Sequence, residues 1–214
     1  MELGMESGVP LLTSYLSPLA SRISRMLAAA TTAGLVACAA ATRSAGKAPP
    51  PSTGDPGRTY ALAQVYLLHA SGPPVADTTV RVRRGVKRVI VLRHAAPDDL
   101  TFAELTIPAT GFDTTGTDSV DVGIHVRPGL YAVDLTTSAP LRSAALTFKY
   151  PVHFQAPGDV RVAFGSDVAF ERVLAIGKLG PGETIVFQRS YRPAADNLST
   201  ALTAAGSYLI GAPK

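Results

Sequence analysis

Tryptophan is absent from the 214 residues, methionine occurs three times and cysteine once. A single thiol cannot close an intramolecular disulfide, so the fold has to rest on an apolar core. Charged residues make up only 17% of the chain against 46% hydrophobic, a balance that excludes a chain disordered throughout. No Walker loop, zinc-finger spacing or G-x-S-x-G elbow occurs, which removes the commonest sequence signatures of nucleotide, zinc and serine-hydrolase chemistry. The lack of tryptophan removes the usual aromatic platform of a sugar site and leaves seven tyrosines to replace it. The charge excess is small, +4 with a pI near 9.4, and does not point to nucleic acid. There is no internal repeat and no long amphipathic helical period.

The N-terminal third is of a different kind. Arg22-Ile23-Ser24-Arg25 carries two cations and is followed by an uncharged apolar run from Met26 to Ala37. That order is the n-region and h-region of an export signal. The run falls short of the roughly 20 apolar residues that cross a hydrocarbon core, and Thr31 and Thr32 interrupt it. It ends in Leu35-Val36-Ala37-Cys38, which resembles the lipobox of bacterial membrane lipoproteins. The resemblance covers residues 22–38 and implies diacylglyceryl transfer to the Cys38 thiol, cleavage before it and attachment to a membrane. Two or three acyl chains, at about 0.8 kcal/mol per buried methylene, make a stable anchor. Ala37-Cys38-Ala39 also fits the A-x-A pattern of ordinary signal cleavage, which would release a soluble secreted protein. Ala39 stands where the enterobacterial pattern for inner-membrane retention has aspartate, so the outer membrane or outer surface is the favoured address. Residues 1–21, with Glu2, Glu6, Pro10 and Pro18, match no part of a signal and form an upstream extension.

Residues 38–58 are small, proline-rich and without large apolar groups, and are read as a tether reaching about 25 to 60 Å. Residues 59–214 are read as one domain. There the apolar period is two, with Gly, Pro, Asp and Ser breaks about every ten residues. Strands are expected at 60–69, 78–83, 86–94, 102–107, 119–127, 130–136, 144–154, 160–164, 168–176, 184–188 and 207–210, with one short helix in 194–205. The expected fold is an all-β antiparallel β-sandwich of about ten strands, immunoglobulin-like or ZU5-like. Leu105-Thr-Ile-Pro-Ala109, followed by Val120 and Val122, resembles the start of a ZU5-type β-sandwich. The expected core includes Val120, Val122, Ile124, Val126, Leu146, Phe148, Val160, Val162, Phe187 and Tyr208.

No catalytic, cofactor or metal signature emerges from these patterns. His69, His94, His125 and His153 are scattered one per strand region and are expected at the surface or on strand edges. Asp113, Asp118 and Asp121 offer calcium-like oxygens without EF-hand spacing and read more simply as a turn. Asp98-Asp99 reads as a turn as well, since adjacent residues of an extended chain point apart. Tyr150, Tyr191 and Tyr208 are expected at the core rim with hydroxyls in water. The strongest charge feature is Arg81, Arg83, Arg84, Lys87 and Arg88, read as a hairpin turning at Arg84-Gly85 in which Arg81 faces Arg88 or Lys87. Opposed cations make this a candidate anion site, with an acidic envelope polymer as the expected partner, or else a solvated edge that resists aggregation. Together these readings imply an exported envelope lipoprotein displaying a non-enzymatic binding or structural domain. The alternative is a secreted or anchored hydrolase whose His/Asp site is assembled by the fold.

Overall fold

Strands of period two dominate the chain, in a computed structural model that describes residues 55–194 and 197–214. The signal segment, the lipobox, Cys38 and the tether up to residue 54 lie outside the described residues. In chain order the strands are β1 (Thr59–Ala61), β2 (Val65–Leu67), β3 (His69–Ala70), β4 (Thr78–Arg83), β5 (Arg88–Arg93), β6 (Thr101–Ile107), β7 (Ser119–Val126), β8 (Ala132–Thr137), β9 (Ala144–Lys149) and β10 (Phe154–Gln155). Two short helices, α1 (Val160–Phe164) and α2 (Asp167–Val173), precede β11 (Ala175–Gly180), β12 (Thr184–Phe187), β13 (Ser190–Tyr191), β14 (Asn197–Leu202) and β15 (Gly206–Pro213). Among the described residues the result is an all-β, sandwich-like fold of 15 strands, with every pairing antiparallel.

An eight-stranded sheet runs β1-β12-β11-β15-β8-β7-β4, with β2 also paired to β15. A five-stranded sheet runs β13-β14-β9-β6-β5, and β10 pairs with β3 alone. Alternation sends Val82, Val122, Ile124, Leu135 and Ile210 of the large sheet inward to meet Ile90, Leu105, Leu146, Phe148 and Leu198 of the small one in a single cluster. Burying each such side chain contributes about 1.5–3 kcal/mol, the main offset to backbone ordering. A second, smaller cluster of Val65, Ala132, Ala175, Ile185, Phe187 and Leu209 is covered by Tyr60, Leu62 and Leu67 of the N-terminal segment. The last residues of the expected tether belong to the domain, because Gly57 N–H donates to the Phe187 carbonyl at 2.9 Å and Arg58 lies over the Tyr60 ring.

Three local expectations are overturned. Residues 160–164 and the first part of 168–176 are helical. Ser166 caps α2 by accepting from Ala169 N–H at 3.1 Å, and Gly165, at φ +80°, ends α1 in the left-handed region. The short helices bury Val160, Phe164, Phe170 and Val173 and turn Val162 outward, 90% exposed, so Val162 is not core. The expected helix in 194–205 is instead occupied by β14, which pairs along β9 from Asn197↔Lys149 to Leu202↔Ala144. Sheet pairing outweighs the helix propensity of its alanines and leucines. Of the other expected core residues Val126 is half-buried, Phe187 lies in the smaller cluster, and the rest are buried.

Candidate functional site

The basic run does not form a hairpin. β4 pairs with β7 in the large sheet and β5 with β6 in the small one, so residues 84–87 cross between sheets, with Gly85 at φ +72°. Arg81 therefore faces Asp121 at 2.9 Å, and Arg88 faces Ile107. Among the described residues no cations oppose each other across a ladder. Arg84 is also spent internally: its guanidinium donates to the carbonyls of Thr117, at 2.6 Å, and Asp113. That leaves Arg83, Lys87 and Arg88, all exposed and without an ion-pair partner among the described residues. Two adjacent apolar strands around a glycine look the same in sequence whether they share a sheet or cross between two.

The aspartates of residues 113–121 serve this same end of the domain. Asp113 is bound by Arg142 at 2.6 Å and Asp121 by Arg81, so arginines engage two of the three carboxylates of this segment. Among the described residues no group of three or more His, Cys, Asp or Glu side chains is disposed to hold a metal ion.

At the opposite end two histidines converge. His69 and His125 are exposed, as expected, and His125 bonds the Asp77 carboxylate at 3.0 Å. That bond, with a second from Val126 N–H, holds the Asp77 carboxyl below its ordinary value. His94 departs from expectation: it is only 4% exposed, edge-on to Phe102 and 4.4 Å from the His153 ring. Its Nδ1 lies 2.7 Å from the Pro73 carbonyl. A carbonyl only accepts, so a proton sits on Nδ1, and the buried Nε2 has no partner among the described residues. An orphaned buried acceptor costs about 1–3 kcal/mol. His153 places Nε2 2.8 Å from Asp98 Oδ2, with the oxygen off the N–H axis. Its ring lies on Gly72, where an added Cβ would stand 2.6 Å from Nδ1. Asp99 turns away, at φ +47°, and its carbonyl accepts from Arg93.

Clefts of about 230 and 260 Å³ flank His94 as a shared wall, one under residues 70–75 and 126–130, the other between Thr101, Lys149 and Val152. Ser71 lines the first cleft and donates to the His153 backbone carbonyl at 3.2 Å, and Thr101 lines the second with both rings. Among the described residues no hydroxyl is hydrogen-bonded to a histidine ring.

The tyrosines divide. Tyr191 is 54% exposed, but Tyr150 and Tyr208 are buried, contrary to the expected rim position. Tyr150 Oη donates to Glu171 Oε1 and accepts from Arg192, both at 3.0 Å, and Tyr208 Oη donates to the Ala204 carbonyl at 2.7 Å. Burial pushes the Tyr208 phenol up to about 12 and Tyr150 higher still, the latter also through Glu171. Only the assembled fold supplies those partners, and the sequence carries no signal for them.

No protein-family model matches this chain, and neither a curated protein nor a solved structure is similar to it. The class is therefore set by the fold itself: an all-β, sandwich-like domain with a basic crossover at one end and a histidine-lined pair of clefts at the other.

Proposed function

We propose that this chain is an exported bacterial envelope lipoprotein, anchored through Cys38, whose sandwich is a non-enzymatic module that binds an acidic envelope polymer at the basic crossover. The address rests on the lipobox-like Leu35-Val36-Ala37-Cys38 and the cationic-then-apolar segment before it. The ligand class rests on one contrast. Arg58, Arg81, Arg127, Arg142 and Arg161 each have an aspartate partner, whereas Arg83, Lys87 and Arg88 have none among the described residues and, unlike other unpaired cations such as Lys149 and Arg172, are clustered in and beside one turn. Unpaired cations on a defined turn keep their field for an outside anion.

Metabolic fatty-acid labelling tests the address: the parent takes up label and Cys38→Ser does not. For the ligand, full chain carrying Cys38→Ser is titrated with an anionic polysaccharide, with uncharged dextran as control. Arg83→Glu with Arg88→Glu weakens binding at least tenfold, and raising salt weakens the parent, since charges are screened over about 10 Å at 0.1 M. Binding that survives the double reversal overturns this assignment.

The hydrolase reading is favoured by one observation, the His153–Asp98 contact at 2.8 Å beside the clefts. Ester hydrolysis abolished by His153→Ala in a folded protein would establish it. The absence of a hydroxyl bonded to either ring, among the described residues, is why the binding reading stands first.

A further inference from the structure

The cleft of about 260 Å³ beside His94 and His153 combines features that the basic crossover does not explain. Its polar side holds Thr101 and Lys149, and Lys149 forms no ion pair among the described residues. Asp98, the carboxylate in contact with a histidine of this lining, is held against His153. Arg93, opposite Thr101 across the β5–β6 ladder, donates to the Asp99 carbonyl and lies outside this lining, so Lys149 is the cation of the cleft. Its lip is apolar and wet: Val152 is 71% exposed and Leu100 39%. The short turn Pro151–His153 causes this, since Tyr150 before it is fully buried and His153 faces His94, which leaves Val152 at the outward apex.

A free cation inside and bare apolar side chains at the mouth match a ligand with an acidic head and an apolar tail. The volume agrees. Sites that enclose a whole small molecule span about 300–1,000 Å³, so this cleft takes a head and leaves the chain outside on the lip. We propose that it binds the acidic headgroup of an anionic amphiphile, with the acid at Lys149 and the chain leaving over Val152 and Leu100.

The test uses full chain carrying Cys38→Ser and three probes measured by calorimetry below any micelle threshold: dodecyl phosphate, inorganic phosphate and dodecyl maltoside. Dodecyl phosphate is expected to bind at least tenfold more tightly than either of the others. Lys149→Glu and Val152→Asp each weaken it at least tenfold, while Arg83→Glu with Arg88→Glu leaves it unchanged, which separates this cleft from the basic crossover. Lys149→Gln, which keeps the stem and removes only the charge, is expected to weaken binding severalfold and to keep the parent melting temperature. Equal affinity for inorganic phosphate, equal affinity for dodecyl maltoside, or dodecyl phosphate binding indifferent to Lys149→Gln and Val152→Asp overturns the proposal.

Discussion

Tyr150→Phe removes one oxygen and tests how the strands are joined to the helices. The hydroxyl sits just after β9, donates to Glu171 on α2 and accepts from Arg192 just after β13, so three separate elements meet on it. Arg192 also donates to the Glu171 carbonyl, which leaves the deletion little room to relax. Hydrogen bonds to charged groups contribute about 1.5–3 kcal/mol each, and the two here share one atom, so the expected loss is about 2–3 kcal/mol. In a domain of this size, about 2–4 °C per kcal/mol, the melting temperature falls by about 4–12 °C. The control is Tyr191→Phe: that ring is 54% exposed, and the change stays within about 0.5 kcal/mol. Thermal melts followed by far-ultraviolet circular dichroism at neutral pH supply both numbers. A Tyr150→Phe midpoint within 2 °C of the parent would show that water replaces the hydroxyl and that the joint is not held as described.

Two more expectations follow from the same packing. The buried phenols of Tyr131, Tyr150 and Tyr208 have folded-state values raised above that of an unfolded tyrosine, so their contribution is fully present below about pH 10 and is lost as pH rises through the folded values. Absorbance at the tyrosinate band, unobscured because the chain has no tryptophan, should rise cooperatively with unfolding above that point; a smooth, unlinked titration of all seven tyrosines would refute it. Ile124→Asp, at 2% exposure between the sheets, should unfold the domain, whereas Val162→Asp, at 90% exposure on α1, should melt within about 2 °C of the parent, and the reverse order would mean that the α1 register is wrong.

The sequence by itself determined the strand period and most of the core. Val120, Val122 and Ile124 alternate with Asp121, Gly123 and His125, and that alternation is local and survives in β7. It could not separate short helices from strands around residues 160–173, because Val160, Val162 and Phe164 fit both periods over so few residues; Asp159, Gly165 and Ser166 were local signals of helix ends. Which strand pairs with which was decided by tertiary structure alone. β4 and β5 are sequence neighbours placed in different sheets, so Arg81 found Asp121, 40 residues away, instead of a facing cation. The convergence of His94 with His153 has the same origin: each lies in an ordinary apolar run, and only the closure of the sandwich end sets their rings 4.4 Å apart. Pairing across long loops depends on the summed burial of both sheets, a property of the whole chain that no local window of residues contains.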